Sequence, residues 1–136
     1  MGSSQMILLD THAWIWYLSN PELLSERARE AVEAAKKDGG IHVSCISTWE
    51  LFLLVKRGRL VLTQDETAWV HRAEGLSFLK FVPVDNEIAR LSVQLPSPLH
   101  EDPADRIIAA TARALGLTLI TKDERLLAYR HIASLW

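Results

Sequence analysis

Five acids in this 136-residue chain stand where their chemistry could be combined: Asp10, Glu50, Asp102, Asp105 and Asp123. Asp10 directly follows the apolar run Met6–Leu9, and Asp123 follows Leu117–Thr121 after one intervening lysine. Glu50 falls one turn into a helix, and Asp102 and Asp105 open another. Carboxylates that converge in one crevice repel each other unless a cation or shared protons offset them. Hard oxygen donors suit Mg²⁺ or Mn²⁺, whereas one Cys and five scattered His make no zinc set. An acidic magnesium crevice suits phosphodiester hydrolysis, in which metal activates water and neutralises charge on the leaving oxygen. An ordinary reading stands beside this one. Acids near a helix N-terminus cap it and complement its dipole.

The elements that must position these acids are short and alternate in type. Met6–Leu9 reads as a strand buried on both faces. The following segment turns into a helix that Asn20–Pro21 breaks. Ser25 or Glu26 opens a second helix through Lys37, with Ala28, Ala31, Val32 and Ala35 as its apolar face. Ile41–Ser44 is the second strand. Ser47 and Glu50 fit a capping box for the next helix, which ends at Gly58, and Thr63 with Glu66 repeats that pattern. Leu79–Val84 reads as a third strand, with Pro83 suggesting an edge or strand end, and Asp85 caps a short helix. Asp102 as N-cap, Pro103 at the first helical position and Gly116 at the close delimit the central helix. Its apolar stripe is Ile108, Thr111, Ala112 and Leu115. Leu117–Thr121 is the fourth strand, and His131–Trp136 supplies a fifth.

Strands alternating with helices predict an α/β fold with a parallel sheet of four to five strands flanked by helices. Residues 6–136 read as a single domain, and residues 1–5 as an N-terminal extension or a cloning remnant. In an open parallel sheet the ligand crevice lies beyond the carboxyl ends of the strands. Topology therefore places Asp10, Glu50 and Asp123 on that edge. Asp105 opens a helix leading into a strand, and such a start can lie on either side.

Hydrophobic residues make up 49% and charged residues 24%, an ordinary globular balance. The formal net charge of −2 argues against a protein that grips nucleic acid over a broad basic face. It leaves room for an enzyme that uses a metal and a few local cations. A lone Cys45 supports no internal disulfide framework, which points to a reducing, cytoplasmic compartment; in its apolar run it reads as a small core residue. No stretch approaches transmembrane length.

Four segments together resemble the PIN-domain ribonucleases, and in particular their VapC-type toxin branch. They are Leu8–His12, Ser44–Glu50, His100–Arg106 and Leu119–Asp123, in the family's order and spacing. The resemblance implies a PIN-like, Rossmann-like sheet and Mg²⁺- or Mn²⁺-dependent endoribonuclease activity on RNA. It also implies inhibition by a small VapB-like antitoxin. Its acidic set is Asp10, Glu50, Asp105 and Asp123, and it is the resemblance that brings Asp105 to the site. Asp10 and Asp105 match the principal metal ligands, Glu50 and Asp123 support the metal or its water, and Thr11 matches a supporting hydroxyl. Ala104 stands where Phe is common, and Phe52–Lys56 depart from an Ala-Lys pair; neither departure touches the acids.

Other residues are assigned more modestly. Asp102 is either a fifth acid of the site or only the helix cap, with the cap favoured. Arg106, Lys122 and Arg125 are candidate RNA contacts, with pairing to a carboxylate an equal alternative for Arg106. His12 and His100 read as loop or packing residues. Trp14, Trp16 and Trp49 read as core or interface anchors rather than base-stacking platforms, and the tryptophan-rich first helix leaves room for a homodimer. Alternatives to a toxin nuclease are a housekeeping PIN nuclease without antitoxin and a binding module that cleaves nothing. A receiver-like phosphoacceptor is disfavoured, since it needs an acidic pair after strand one and Asp10 stands alone.

Overall fold

The computed structural model describes residues 5–136; the first four residues of the N-terminal extension lie outside them. Strand β1 (Ile7–Leu9) leads to α1 (Thr11–Ser19) and α2 (Glu26–Lys36). Strand β2 (Ile41–Ser44) passes without a loop into α3 (Cys45–Lys56), then α4 (Glu66–Glu74) and β3 (Leu79–Val82). Helices α5 (Asn86–Gln94) and α6 (Pro103–Leu115) precede β4 (Thr118–Ile120), α7 (Glu124–Ala128) and β5 (Ser134–Leu135). All strand pairs are parallel, in the order β3-β2-β1-β4-β5.

Winding runs outward from β1 to β2 and β3, then returns to the other side of β1 for β4 and β5. The reversal places a crevice between the carboxyl ends of β1 and β4. Asp10 and Thr121 are the residues immediately beyond those two ends. The expected edge position of the third strand is observed, although it stops two residues early, at Val82.

Side chains alternate across the sheet because successive Cβ atoms point to opposite faces. Ile7 and Leu9 join Trp14, Val32, Ile41, Val43, Leu51 and Trp69 on one face. Leu8 and Leu119 join Ile88, Ile108, Ala109 and Leu126 on the other. β1 is apolar throughout because helices cover both faces. The tryptophan-rich first helix turns inward. Trp14 is fully buried, with its ring 5.0 Å from Trp69 and 5.6 Å from Phe81, both edge-on. Trp14 therefore belongs to the core and offers no interface.

Several local expectations need correction. The Ser47 capping box sits three residues too late: Ser44 caps α3 by accepting the Ile46 N–H, and Ser47 is buried inside the helix. Asp65, not Thr63, caps α4 through the N–H groups of Thr67 and Ala68. Cys45 is exposed at the first position of α3 rather than in the core. Leu115 is half exposed, and Ala104, Ala109 and Ala110 are buried instead. Asp102, Pro103 and Gly116 perform as expected, with Gly116 at φ 65 closing the helix in the left-handed region that glycine tolerates.

Candidate active site

All five acids line one open cavity of about 580 Å³ at the carboxyl edge of the sheet. Thr11, His12, Trp16, Lys122, Glu124 and Arg125 complete its wall. Capping and site formation prove to be compatible uses of the same side chain. Asp10 accepts the Ala13 N–H through Oδ1 at 2.8 Å and so caps α1. Asp102 accepts the Asp105 N–H through Oδ1 at 2.9 Å, and Asp123 accepts the Arg125 and Leu126 N–H groups through Oδ1. In each case the helix engages Oδ1; Oδ2 of Asp10 meets the Thr121 hydroxyl and Oδ2 of Asp123 meets Arg125. The helix starts are thus what aim the carboxylates.

Hydroxyl groups hold the acids in register. Thr121 donates to Asp10 Oδ2 at 2.5 Å and accepts the Asp123 N–H at 3.1 Å, so one side chain fixes two acids. The Thr11 hydroxyl hydrogen-bonds Glu50 and also meets Ser47 Oγ at 2.8 Å. Ser47 therefore supports the site from inside α3. His100 Nε2 stands 2.7 Å from Asp105 Oδ2, and both side chains are largely buried. Thr121, Ser47 and His100 were not given these roles from sequence. The available signals were a threonine at a strand end two residues before Asp123, and a serine one turn before Glu50.

Burial, more than mutual repulsion, governs the ionisation of these acids. Burial pushes Asp10 from its ordinary 3.8 up to about 6, although the Thr121 and Ala13 hydrogen bonds oppose the rise. Burial also raises Glu50 and Asp105, and neighbouring carboxylates add to the effect in both. Asp123 differs: burial raises it, but bonds from Arg125 and the Leu126 N–H prevail and hold it below the usual carboxylate value. Arg125 Nη2 lies 3.3 Å from Asp123 Oδ2 and 3.8 Å from Asp105 Oδ2, an exposed cation at the mouth.

The donor set is all hard oxygen, and three of its acids resist ionisation where they stand. That is the environment a divalent cation relieves. Among the described residues no group of three or more acids, imidazoles or thiols stands close enough together to hold a metal ion; the carboxylates line an open cavity.

Two candidate cations differ from expectation or from each other. Arg106 is turned into the protein: its guanidinium donates to the carbonyls of Ser92, Leu99 and His100 at 2.9–3.2 Å, so it ties α5 and the 99–100 loop to α6. A group so engaged is not offered to RNA. Lys122 is exposed at the cavity rim, with Nζ 5.8 Å from the Trp16 ring centre.

The PIN domain pattern matches residues 7–132 of the chain. Ribonuclease VapC22 of Mycobacterium tuberculosis is 36% identical over 125 residues, 92% of each protein. Among solved structures, VapBC2 from Rickettsia felis bound to a DNA fragment from its promoter superposes with a TM-score of 0.71 at 19% identity, covering 97% of this chain and 99% of that one. FitAcB from Neisseria gonorrhoeae gives 0.66 at 25% identity, covering 96% and 97%. With its sheet order, its acidic edge and this likeness over nearly its whole length, the chain belongs to the PIN-domain family.

Proposed function

We propose that the chain is a divalent-metal-dependent endoribonuclease, the toxin of a toxin–antitoxin pair, acting in the cytoplasm. The observation that carries this reading is the meeting of Asp10, Glu50, Asp105 and Asp123, from four separate segments, around one cavity. Similarity to a protein named Ribonuclease VapC22 supports RNA as the substrate.

Asp10 and Asp105 are the principal ligands in this reading, with Glu50 and Asp123 flanking them and Asp102 serving as the cap. Mg²⁺ or Mn²⁺ held there supplies Lewis-acid activation of water and offsets charge on the phosphodiester. Asp10 enters with its orientation fixed by the Ala13 N–H and the Thr121 hydroxyl. Asp105 is fixed by His100, and Glu50 by Thr11. Such fixed carboxylates place a proton acceptor beside the attacking water without reorganising during reaction. Lys122 and Arg125 at the rim meet flanking phosphates.

Thr121→Val should separate positioning from ligation. It removes the hydroxyl that aims Asp10 and accepts the Asp123 N–H, and it removes no carboxylate. Mn²⁺ affinity, read by calorimetric titration, should fall roughly 10- to 100-fold; an unchanged affinity would assign Thr121 to strand packing alone.

The toxin assignment is tested in cells. Induced expression should arrest growth and leave new RNA 5′ ends, both absent with Asp10→Asn. Co-expression of a small protein encoded next to this one should restore growth. Harmless expression by a chain that cleaves RNA when purified would favour the housekeeping nuclease.

A further inference from the structure

Beside the acidic cavity runs a second groove of about 240 Å³, between α3 and the start of α6. Glu50 and Asp102 line both spaces, so the groove continues the cavity. Glu50, Leu53, Leu54 and Arg57 are spaced i, i+3, i+4 and i+7, which makes them one face of α3. Arg57 thus lies about 10 Å along the helix from Glu50, at 1.5 Å per residue. Trp49 stands at the rim and is 53% exposed, unusual for the largest side chain in a protein whose Trp14 and Trp69 are buried.

The far end is basic by construction. Gly58, at φ 70, ends α3 in the left-handed region. The Gly58 N–H returns to the Val55 carbonyl and the Arg59 N–H to the Leu54 carbonyl, the paired bonds of a Schellman close. This reversal folds Arg59 back so that it lines the same groove as Arg57. No acidic side chain pairs with either guanidinium among the described residues.

We propose that this groove is the substrate's flanking subsite: single-stranded RNA leaves the acidic cavity along α3, stacks a base on Trp49 and sets phosphates on Arg57 and Arg59. The inference rests on the endoribonuclease reading and adds to it the path of the strand. An aromatic platform beside cations is what sequence-tolerant single-strand binding requires. Charge complementarity also selects the occupant. The two unpaired guanidiniums, Arg57 and Arg59, draw a phosphate backbone to the far end, while Glu50 and Asp102 mark the end that joins the acidic cavity. Trp49 thereby acquires the stacking role that its sequence context did not suggest.

Steady-state cleavage of a mixed-sequence single-stranded oligoribonucleotide in Mn²⁺, across a salt series, tests this. Arg57→Ala/Arg59→Ala should raise KM and leave kcat nearly unchanged. It should also flatten the dependence of log(kcat/KM) on log salt by about 1.4, two phosphate contacts at about 0.7 each, and Arg57→Lys/Arg59→Lys should restore most of the slope. Trp49→Ala should raise KM roughly 5- to 100-fold, with Trp49→Phe retaining most of the affinity. Thermal melts matching wild type would confirm that these exposed substitutions leave the fold intact. Unchanged KM and salt slope would overturn the subsite, as would a fall in kcat alone. Variants that keep RNA kinetics but escape inhibition by the neighbouring-encoded protein would transfer the groove to that partner. A wild type that cleaves no RNA at all would instead defeat the endoribonuclease reading itself.

Discussion

In metal-free buffer near neutral pH, Asp10→Asn is expected to be more stable than the wild type, and with Mn²⁺ present it should cleave RNA at least about a hundredfold more slowly. Burial raises Asp10 in the folded chain to about 6, against an ordinary 3.8. Between those values the folded state holds the proton that the unfolded chain has released. The contribution of Asp10 is therefore full below about 3.8 and is lost as pH rises through about 6. A shift of this size corresponds to up to about 3 kcal/mol, at ~1.4 kcal/mol per unit. Asparagine caps a helix as well as aspartate does, so the Ala13 bond to Oδ1 survives; the charge is removed, and the Thr121 hydroxyl, which donates to Oδ2 of Asp10, has to accept from the new amide N–H instead.

The expected difference curve has a clear shape. Wild type and variant agree in acid, and the variant gains on the wild type up to about pH 6. Saturating Mn²⁺ should reverse the order, because a ligand that binds only the folded state stabilises it by mass action. Chemical denaturation at several pH values, with EDTA and with Mn²⁺, reads both effects. Equal Mn²⁺ stabilisation of the two proteins would remove Asp10 from the metal site. The loss of cleavage, roughly 10²–10⁴-fold, is the size that one positioned acid–base group supplies.

The second large effect concerns Glu50. Glu50→Gln should lower kcat by a similar factor, roughly 10²–10⁴, with stability nearly unchanged. The amide oxygen can still accept from Thr11, and burial of a charge already disfavoured at that position is relieved. Ser47→Ala is the informative companion. Ser47 does not cap α3, so its loss should not fray the helix; it removes the hydroxyl that braces Thr11 against Glu50. Helicity by circular dichroism should match wild type in both variants while kcat falls, far more in Glu50→Gln. Retained activity in Glu50→Gln would return that residue to a purely structural role.

What was legible in the sequence was whatever local chemistry decides. Asp102, Pro103 and Asp105 follow the rules of a helix start, and the structure obeys them. β1 reads correctly because a strand covered on both faces must be apolar at every position. The capping box at Ser47 failed because Ser44 and Ser47 both have the needed chemistry. Only the direct passage of β2 into α3 decides between them. Trp14 and Trp49 are alike in composition and opposite in burial, which depends on the face each helix presents.

Contacts between distant segments were the least visible. The Thr121 hydroxyl reaches Asp10 across 111 residues, and nothing local to either position requires it. Arg106 looked available because its partners are main-chain carbonyls, which any sequence possesses. The meeting of the acids was legible in part. Three follow from the rule that crevices form beyond strand ends, while Asp105 reaches the cavity only because α6 starts on that side of the sheet.

The most direct test of the central assignment is cleavage of an end-labelled single-stranded RNA by purified, EDTA-stripped protein as Mn²⁺ is titrated back, in parallel with Asp105→Asn. Internal cleavage should be absent in EDTA, should return with Mn²⁺ in the wild type, and should stay absent in the variant at the same metal concentration. Undiminished cleavage in EDTA, or equal cleavage by both proteins, would contradict a metal-dependent nuclease built on these carboxylates.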